Sequence, residues 1–162
     1  MKTVSIFLMS TTFLTGLLGG IGFTNLAGFI PAMRLVPANQ FVRFWQILDS
    51  YMSVRMPIFV SIILASGIVS IILVNNQPVT LPLLWLILAL VIILADFIVA
   101  VSYNLPANRL MQSITPETIP ANFEYYRNKA IFGFTVRAFC MMGSFACSLT
   151  ATFLQGKNGM LH

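Results

Sequence analysis

Two side chains of opposite charge, Asp96 and Arg137, each interrupt a long apolar stretch of this sequence. Asp96 lies seven residues before Tyr103, where its stretch ends, and Arg137 lies seven residues after Ala130, where its own begins. At about 1.5 Å per helical residue, both would lie roughly 10 Å inside the hydrocarbon, at the same depth if the helices are antiparallel. An unpaired charge there costs about 2.5 to 3.5 kcal/mol. We therefore predict a pair that acts either as a structural lock or as a catalytic site, with Asp96 as base and Arg137 holding an anionic oxygen.

The composition assigns these two charges to a membrane protein. Hydrophobic residues make up 58% of the 162 and charged residues only 8%, whereas charge is near a quarter in soluble domains. Four apolar stretches are long enough to cross a bilayer. The sequence predicts an all-α, integral membrane four-helix bundle of up-down-up-down topology, forming one domain over residues 1–162. The expected helices cover about 4–30, 39–74 with a kink near Pro57, 81–103 and 120–154.

The distribution of positive charge predicts the orientation. The connection between the second and third helices is short, so the two longer connections share one face. That face holds most of the cations, namely Arg34, Arg43, Arg55, Arg109, Arg127 and Lys129. By the positive-inside tendency it is expected to be cytoplasmic, with both termini outside the cell membrane. The first apolar run far exceeds the 7 to 15 residues of a signal-peptide core, so we expect it to remain as a helix.

Short local patterns add detail to the two long connections. Pro37-Ala38-Asn39 and Pro106-Ala107-Asn108 follow the first and third helices and hint at a duplicated two-helix unit, although Pro120-Ala121-Asn122 is a third copy outside that scheme. Aromatic and apolar residues recur at helical spacing over 39–52, which predicts an amphipathic helix that lies at the interface or extends the second helix. Thr115, followed by Pro116, is typical of a helix N-cap.

Several classes of chemistry find no support in the sequence. The single histidine is His162, and no cysteines, histidines or carboxylates have metal-ligand spacing. Cys140 and Cys147 lie about 10.5 Å apart on one helix, too far to bond to each other. No phosphate-binding glycine loop is present, and the cations do not form a nucleic-acid patch. We expect no cofactor, no metal and no nucleic-acid partner.

A layer of polar residues is expected near the face of the long connections. Asn25 lies six residues before Pro31 and so falls at about the depth of Asp96 and Arg137. Other polar residues are expected to complete this layer on the side of the long connections. These predicted substrate-binding residues are Asn25, Arg55, Tyr103, Asn104, Asn108 and Arg127.

These motifs resemble the anthrone oxygenase-like membrane proteins. Asn104-Leu105-Pro106-Ala107-Asn108 after the third helix, followed by Arg137 in an apolar fourth helix, is similar to the family pattern, as is the aromatic segment Phe41–Pro57. The resemblance extends from the glycine-rich first helix to the end of the fourth. It implies a four-helix membrane protein of a family in which some fungal members oxidise anthrones to anthraquinones with molecular oxygen and without metal or flavin.

Within that resemblance, Asn104, Asn108 and Arg137 match family positions, and the candidate bases are Asp96 first, then Asp49 or Glu124. The reaction would need a base for the acidic C–H proton, a cation for the developing oxyanion and an apolar pocket.

The leading hypothesis is a membrane-embedded, cofactor-independent oxygenase or binding protein for a lipophilic aromatic or quinone-like ligand. A second is a structural protein, in contact with lipid and other membrane components, in which Asp96 and Arg137 form a buried salt bridge. A third is a glutathione-binding four-helix membrane enzyme, which also has arginines near its helix ends.

Overall fold

The architecture was obtained as a computed structural model that describes residues 2–75, 81–115 and 118–159. Every regular element within these ranges is helical. In chain order they are α1 (Lys2–Thr24), a first π turn (Asn25–Phe29), α2 (Ile30–Leu35), α3 (Ala38–Asn75), α4 (Leu81–Val99), a second π turn (Ala100–Asn104), α5 (Leu105–Ser113) and α6 (Phe123–Gly159).

These elements join into four long helical stretches, each long and apolar enough to cross a membrane. They cover Thr3–Leu35, Ala38–Asn75, Leu81–Ser113 and Phe123–Lys157. The first and third continue well past the expected ends at Ile30 and Tyr103, because α2 and α5 prolong them. The predicted all-α four-helix bundle is confirmed.

The two π turns explain how the first and third stretches pass their prolines. The amide of Ile30 donates to the carbonyl of Asn25, and the amide of Leu105 donates to that of Ala100, five residues back in each case. Pro31 and Pro106 follow within the first turn of the next α segment. The wider π turn accommodates the proline ring, which in a regular α-helix would clash with the carbonyl four residues back. The helices that we expected to end at Ile30 and Tyr103 instead continue through these prolines.

The remaining boundaries differ from expectation by a few residues. The amphipathic segment 39–52 belongs to α3, which continues through Pro57 without a break. α6 begins at Phe123, where its first amide donates to the carbonyl of Pro120. The N-cap expected at Thr115 depends on Pro116, which lies outside the described residues.

Packing between the helices is uneven. α6 packs closely along both α1 and α4, whereas α3 makes looser contacts with its two neighbours. Glycine permits the close approach: a Cβ placed on Gly22 would lie 2.7 Å from the carbonyl oxygen of Ala138. In lipid, such small residues let helices associate through van der Waals contact. The looser position of α3 leaves space on one side of the bundle.

The structure also revises the suspected duplication. Ile30-Pro31-Ala32-Met33-Arg34 and Leu105-Pro106-Ala107-Asn108-Arg109 each follow a π turn directly, 75 residues apart. Val36–Asn39 and Ile119–Asn122 carry the pattern Val/Ile-Pro-Ala-Asn and each precede or enter the next long helix. Pro37 therefore matches Pro120, and Pro106 matches Pro31. The described parts of α1 to α3 and of α4 to α6 thus share the same order of a long helix, a π turn, a short helix and a second long helix.

Candidate functional site

Asp96 and Arg137 form a two-point ion pair between α4 and α6. Nε of Arg137 donates to Oδ1 of Asp96 over 2.9 Å, and Nη2 donates to Oδ2 over 3.3 Å. The side chain of Asp96 is 4% exposed and that of Arg137 16% exposed. Paired N–H groups of a guanidinium match the two oxygens of a carboxylate, and this geometry neutralises both charges locally. The predicted pairing of these two residues is confirmed.

Local helix geometry accounts for this meeting. Asp96 lies on the buried face of α4, one turn beyond Ile93 and two turns beyond Ala89. Arg137 precedes the fully buried Ala138 of α6. Because α4 and α6 pack closely and run antiparallel, a charge seven residues inside each apolar stretch reaches the same level. The sequence spacing was therefore sufficient to predict the contact.

A cavity of about 650 Å³ opens beside this pair, within the size range of small-molecule sites. Its walls come from the first π turn, α3, α4, α5 and α6, and most of its side chains are apolar. Asp96 and Arg137 form part of one wall, and Met141 lies a turn further along α6. The space exists because α3 stands away from the rest of the bundle. The ion pair therefore borders a cavity whose walls are mostly apolar.

Aromatic rings build one wall of the cavity. The rings of Phe29 and Phe134 are stacked with centroids 5.7 Å apart, and Trp45 meets Phe134 edge to face at 5.0 Å. All three residues line the cavity. They come from three different helical stretches, so the wall depends on the whole fold. A ligand with flat aromatic rings would pack favourably against this wall.

A second polar cluster lies at the long-connection end of the cavity. Asn108 donates from Nδ2 to Asp49 over 2.5 Å and accepts from the indole Nε1 of Trp45 over 2.9 Å. Gln112 donates to the other oxygen of Asp49 over 3.1 Å. Asp49 is thus held by neutral amides and makes no ion pair with a described residue, although Arg109 lines the same cavity.

Sequence reasoning found only part of this cluster. Asn108 was a predicted binding residue and Asp49 a secondary candidate base, but Trp45 and Gln112 were missed. The spacing of Asn108 and Gln112, four residues apart on α5, could have indicated one helical face.

Asn25 and Asn104 each lie at an end of a π turn and line the cavity. Asn104 is only 4% exposed, and neither atom of its amide has a hydrogen-bond partner among the described residues. Its Oδ1 lies 3.2 Å from where a Cβ on Gly133 would stand. Burying such an amide unpaired costs free energy. Asn104 therefore contributes a buried, unpaired amide at the edge of the cavity.

Three of the predicted binding residues do not line the cavity. Arg55 bends back to the carbonyl of Tyr51 and is exposed. Tyr103 packs against the ring of Phe132. The structure therefore separates both from the Asp96 and Arg137 pair, because their side chains leave the helices on other faces.

Arg127, the third, is buried outside the cavity. Its Nη2 donates to the carbonyl of Met33 over 2.6 Å, and its Nη1 donates to Glu124 over 3.2 Å. Its guanidinium carbon also lies 5.2 Å from the centre of the Phe41 ring. Arg127 thus fastens α6 to the end of α2, which also occupies Glu124, a candidate base from the sequence.

No group of histidine, cysteine or carboxylate side chains in the described ranges could hold a metal ion. Cys140 and Cys147 are free thiols, and His162 lies beyond the described residues. The polar side chains that line the cavity carry amides, two carboxylates, two guanidiniums, a hydroxyl and an indole N–H, which suit hydrogen bonding and proton transfer. Comparison of the chain with protein-family models, curated proteins and solved structures found no match.

Proposed function

We propose that this protein binds a flat, lipophilic ligand with a carbonyl oxygen, such as a quinone, in the cavity beside Asp96 and Arg137. One observation carries the proposal. Arg137 uses Nε and Nη2 for Asp96, and its remaining N–H groups make no hydrogen bond to any described residue, although the side chain lines the cavity.

The ion pair favours a neutral acceptor over an anion. Asp96 already compensates the charge of Arg137, so an anionic ligand would leave one negative charge in excess in an apolar setting. A carbonyl oxygen accepts from the free N–H groups without adding charge. Burying those donors unpaired is unfavourable, and a ligand oxygen removes that cost.

The walls support a flat and apolar ligand body. The rings of Phe29, Trp45 and Phe134 form a continuous aromatic surface on one side. The volume of about 650 Å³ accommodates a small ring system. A purely structural ion pair would be occluded, whereas this pair lines an open cavity. Glutathione, which carries two carboxylates, would find only Arg109 among the described cavity cations outside an ion pair.

The resemblance to anthrone oxygenase-like proteins adds a second, catalytic form of the proposal. A carboxylate and a guanidinium face the same apolar space, as such a reaction requires. Asp96 would take a proton from the carbon opposite the ring carbonyl, and Arg137 would hold the oxyanion that develops on that carbonyl. Molecular oxygen would then oxidise the carbon to a second carbonyl and leave one oxygen atom as water.

Binding can be tested with Trp45 as the reporter, since it lines the cavity and a quinone in contact with it would quench its fluorescence. The protein would carry Trp85→Phe and be placed in phospholipid nanodiscs. Titration with decylubiquinone is expected to quench Trp45 saturably. The neutral double variant Asp96→Asn/Arg137→Gln should weaken binding by about tenfold, as expected for loss of a charged hydrogen-bond donor.

Arg34→Gln is the matched control, since Arg34 is an exposed arginine outside the cavity. It should leave the affinity unchanged. Quenching that never saturates, or equal affinity in the double variant and the wild type, would contradict the binding proposal.

The catalytic form has its own experiment. Purified protein would be incubated with an auto-oxidisable anthrone under air, and quinone formation followed by absorbance. Asp96→Asn should reduce the rate to that of the uncatalysed reaction, whereas Asp49→Asn should not. Equal rates for wild type and Asp96→Asn would remove Asp96 as the base.

A further inference from the structure

The two halves of the chain share short proline motifs, yet α3 packs less closely on its neighbours than its counterpart α6 does. The π turns and the proline motifs align α1 with α4, 75 residues apart, and α3 with α6. The seam between α1 and α6 therefore corresponds to the seam between α4 and α3. The first of these is closely packed and the second is loose.

Glycines on α1 allow α1 and α6 to pack closely along their seam. A Cβ on Gly16 would lie 3.1 Å from the ring of Phe145, and one on Gly19 would lie 3.0 Å from its Cβ. Gly22 leaves even less space, against the carbonyl oxygen of Ala138. Without side chains at these three positions, α6 can lie directly on α1.

The corresponding positions of α4 carry large side chains. Residues 75 further along from the three glycines are Val91, Leu94 and Phe97. Each is about half exposed, at 53%, 50% and 58%. They are not covered as the glycines are, and the close approach of α3 to α4 is instead made at Gly67, where a Cβ would lie 2.5 Å from the side chain of Leu90. The contact between α3 and α4 therefore lacks the close packing of the matching contact between α1 and α6, and the bundle stays open on that side.

The cavity reaches the outer surface at this same seam. Phe97 from α4, Val101 from the second π turn and Met52 from α3 all line it, and all are between 43% and 58% exposed. Met56 and Pro57 of α3 lie opposite and also line it. Because α3 and α4 both belong to stretches that can span the membrane, the opening faces lipid at this level.

We propose that the α3 and α4 seam is a lateral portal, through which the ligand enters the cavity from the bilayer and not from water. This inference rests on the proposed binding function and narrows its ligand to a molecule that dissolves in lipid. A hydrophobic ligand is concentrated in the membrane by the same apolar transfer that drives burial. A ligand that enters through an apolar seam reaches the cavity without passing through water.

The experiment compares two ways of delivering a quinone to Trp45 in the Trp85→Phe protein in vesicles. Decylubiquinone partitions into lipid, whereas ubiquinone-0 has no long tail and stays largely in water. Quenching would be followed by stopped-flow fluorescence. With the wild-type cavity, the rate for decylubiquinone should follow its mole fraction in the lipid, so that more lipid at constant total quinone slows binding.

Narrowing the portal should slow only the lipid route. The variant Val101→Phe/Met56→Phe enlarges one residue on each lip, and Ile98→Phe/Ile58→Phe makes the same kind of change at lipid-exposed positions outside the cavity. We expect the lip variant to slow decylubiquinone binding by about tenfold or more, and to slow ubiquinone-0 binding by a clearly smaller factor. The control variant should bind both at wild-type rates.

The outcomes separate the two proposals. The portal would be overturned, and the binding function would stand, if quinone bound at a rate that does not depend on the lipid fraction and that the lip variant does not slow. Absence of quenching by both quinones in the wild-type cavity would overturn both. The lipid dependence is measured without any lip substitution, so a variant that folds poorly does not prevent the test.

Discussion

Arg137 donates two hydrogen bonds to Asp96, from Nε to Oδ1 over 2.9 Å and from Nη2 to Oδ2 over 3.3 Å. Both residues line the wall of a mostly apolar cavity. Both charges are compensated, yet the guanidinium keeps further donors for a ligand. The same contact therefore fixes α4 against α6 and, in the proposed function, presents donors to the ligand. Its two roles lead to separate predictions.

The first prediction concerns stability. Asp96→Leu alone should lower the free energy of unfolding by about 3 to 5 kcal/mol, because it leaves Arg137 buried without its partner. The double variant Asp96→Leu/Arg137→Met should recover most of that loss, since neither charge remains. Unfolding in mixed detergent micelles would measure both. A double variant as unstable as the single one would contradict a direct pair.

The second prediction concerns the contact between Gly133 and the second π turn. A Cβ at this position would lie 2.8 Å from Cβ of Tyr103 and 3.2 Å from Oδ1 of Asn104. Gly133→Ala should therefore cost about 1 to 3 kcal/mol through overpacking. Gly143→Ala in the same helix meets only a side-chain atom of Ile92 at 3.9 Å and should be nearly neutral. Equal thermal stability of the two variants would contradict the close approach.

The third prediction concerns the polar cluster at the long-connection end. Asn108→Leu removes the acceptor of the Trp45 indole and a donor to Asp49. It should destabilise by about 1 to 3 kcal/mol, because buried polar groups lose their partners. The emission of Trp45 should change at the same time. Asn39→Leu is the control, since exposed Asn39 accepts only from the neighbouring amide of Gln40.

The fourth prediction concerns Arg127, which holds α6 to the end of α2. Arg127→Lys should cost about 1.5 to 3 kcal/mol, because an ammonium cannot reproduce the forked contacts to Glu124 and the carbonyl of Met33. Arg43→Lys, at an exposed position without such contacts to described residues, should have little effect. Comparable melting temperatures for the two variants would argue against this fastening role.

Much of this fold follows directly from the sequence. Apolar length and the scarcity of charge determine four membrane-spanning helices, because a bilayer leaves the backbone few alternatives. The pairing of Asp96 with Arg137 also follows, since equal depth on antiparallel neighbours brings opposite charges together. Both inferences use only helical rise and the cost of charge in lipid.

Other features depend on tertiary structure and were not predictable from local patterns. Pro31 and Pro106 suggested helix ends, but each follows a π turn that lets the helix continue. Arg55 and Tyr103 were expected to bind the ligand but do not line the cavity, because residue count along a helix does not determine the direction in which packing turns a side chain. The cavity itself arises from the loose position of α3, which no single motif encodes.

The central claim is that the cavity holds a lipophilic ligand, and native mass spectrometry tests it most directly. Protein would be extracted from membranes in a mild detergent, and the mass bound to it compared with that of Ala100→Trp, which fills the cavity, and Ile98→Trp, which faces lipid outside it. We predict a lipophile of small-molecule mass on the wild-type protein and on Ile98→Trp, and its loss from Ala100→Trp. An identical set of bound masses in all three proteins, or none in any, would contradict the claim.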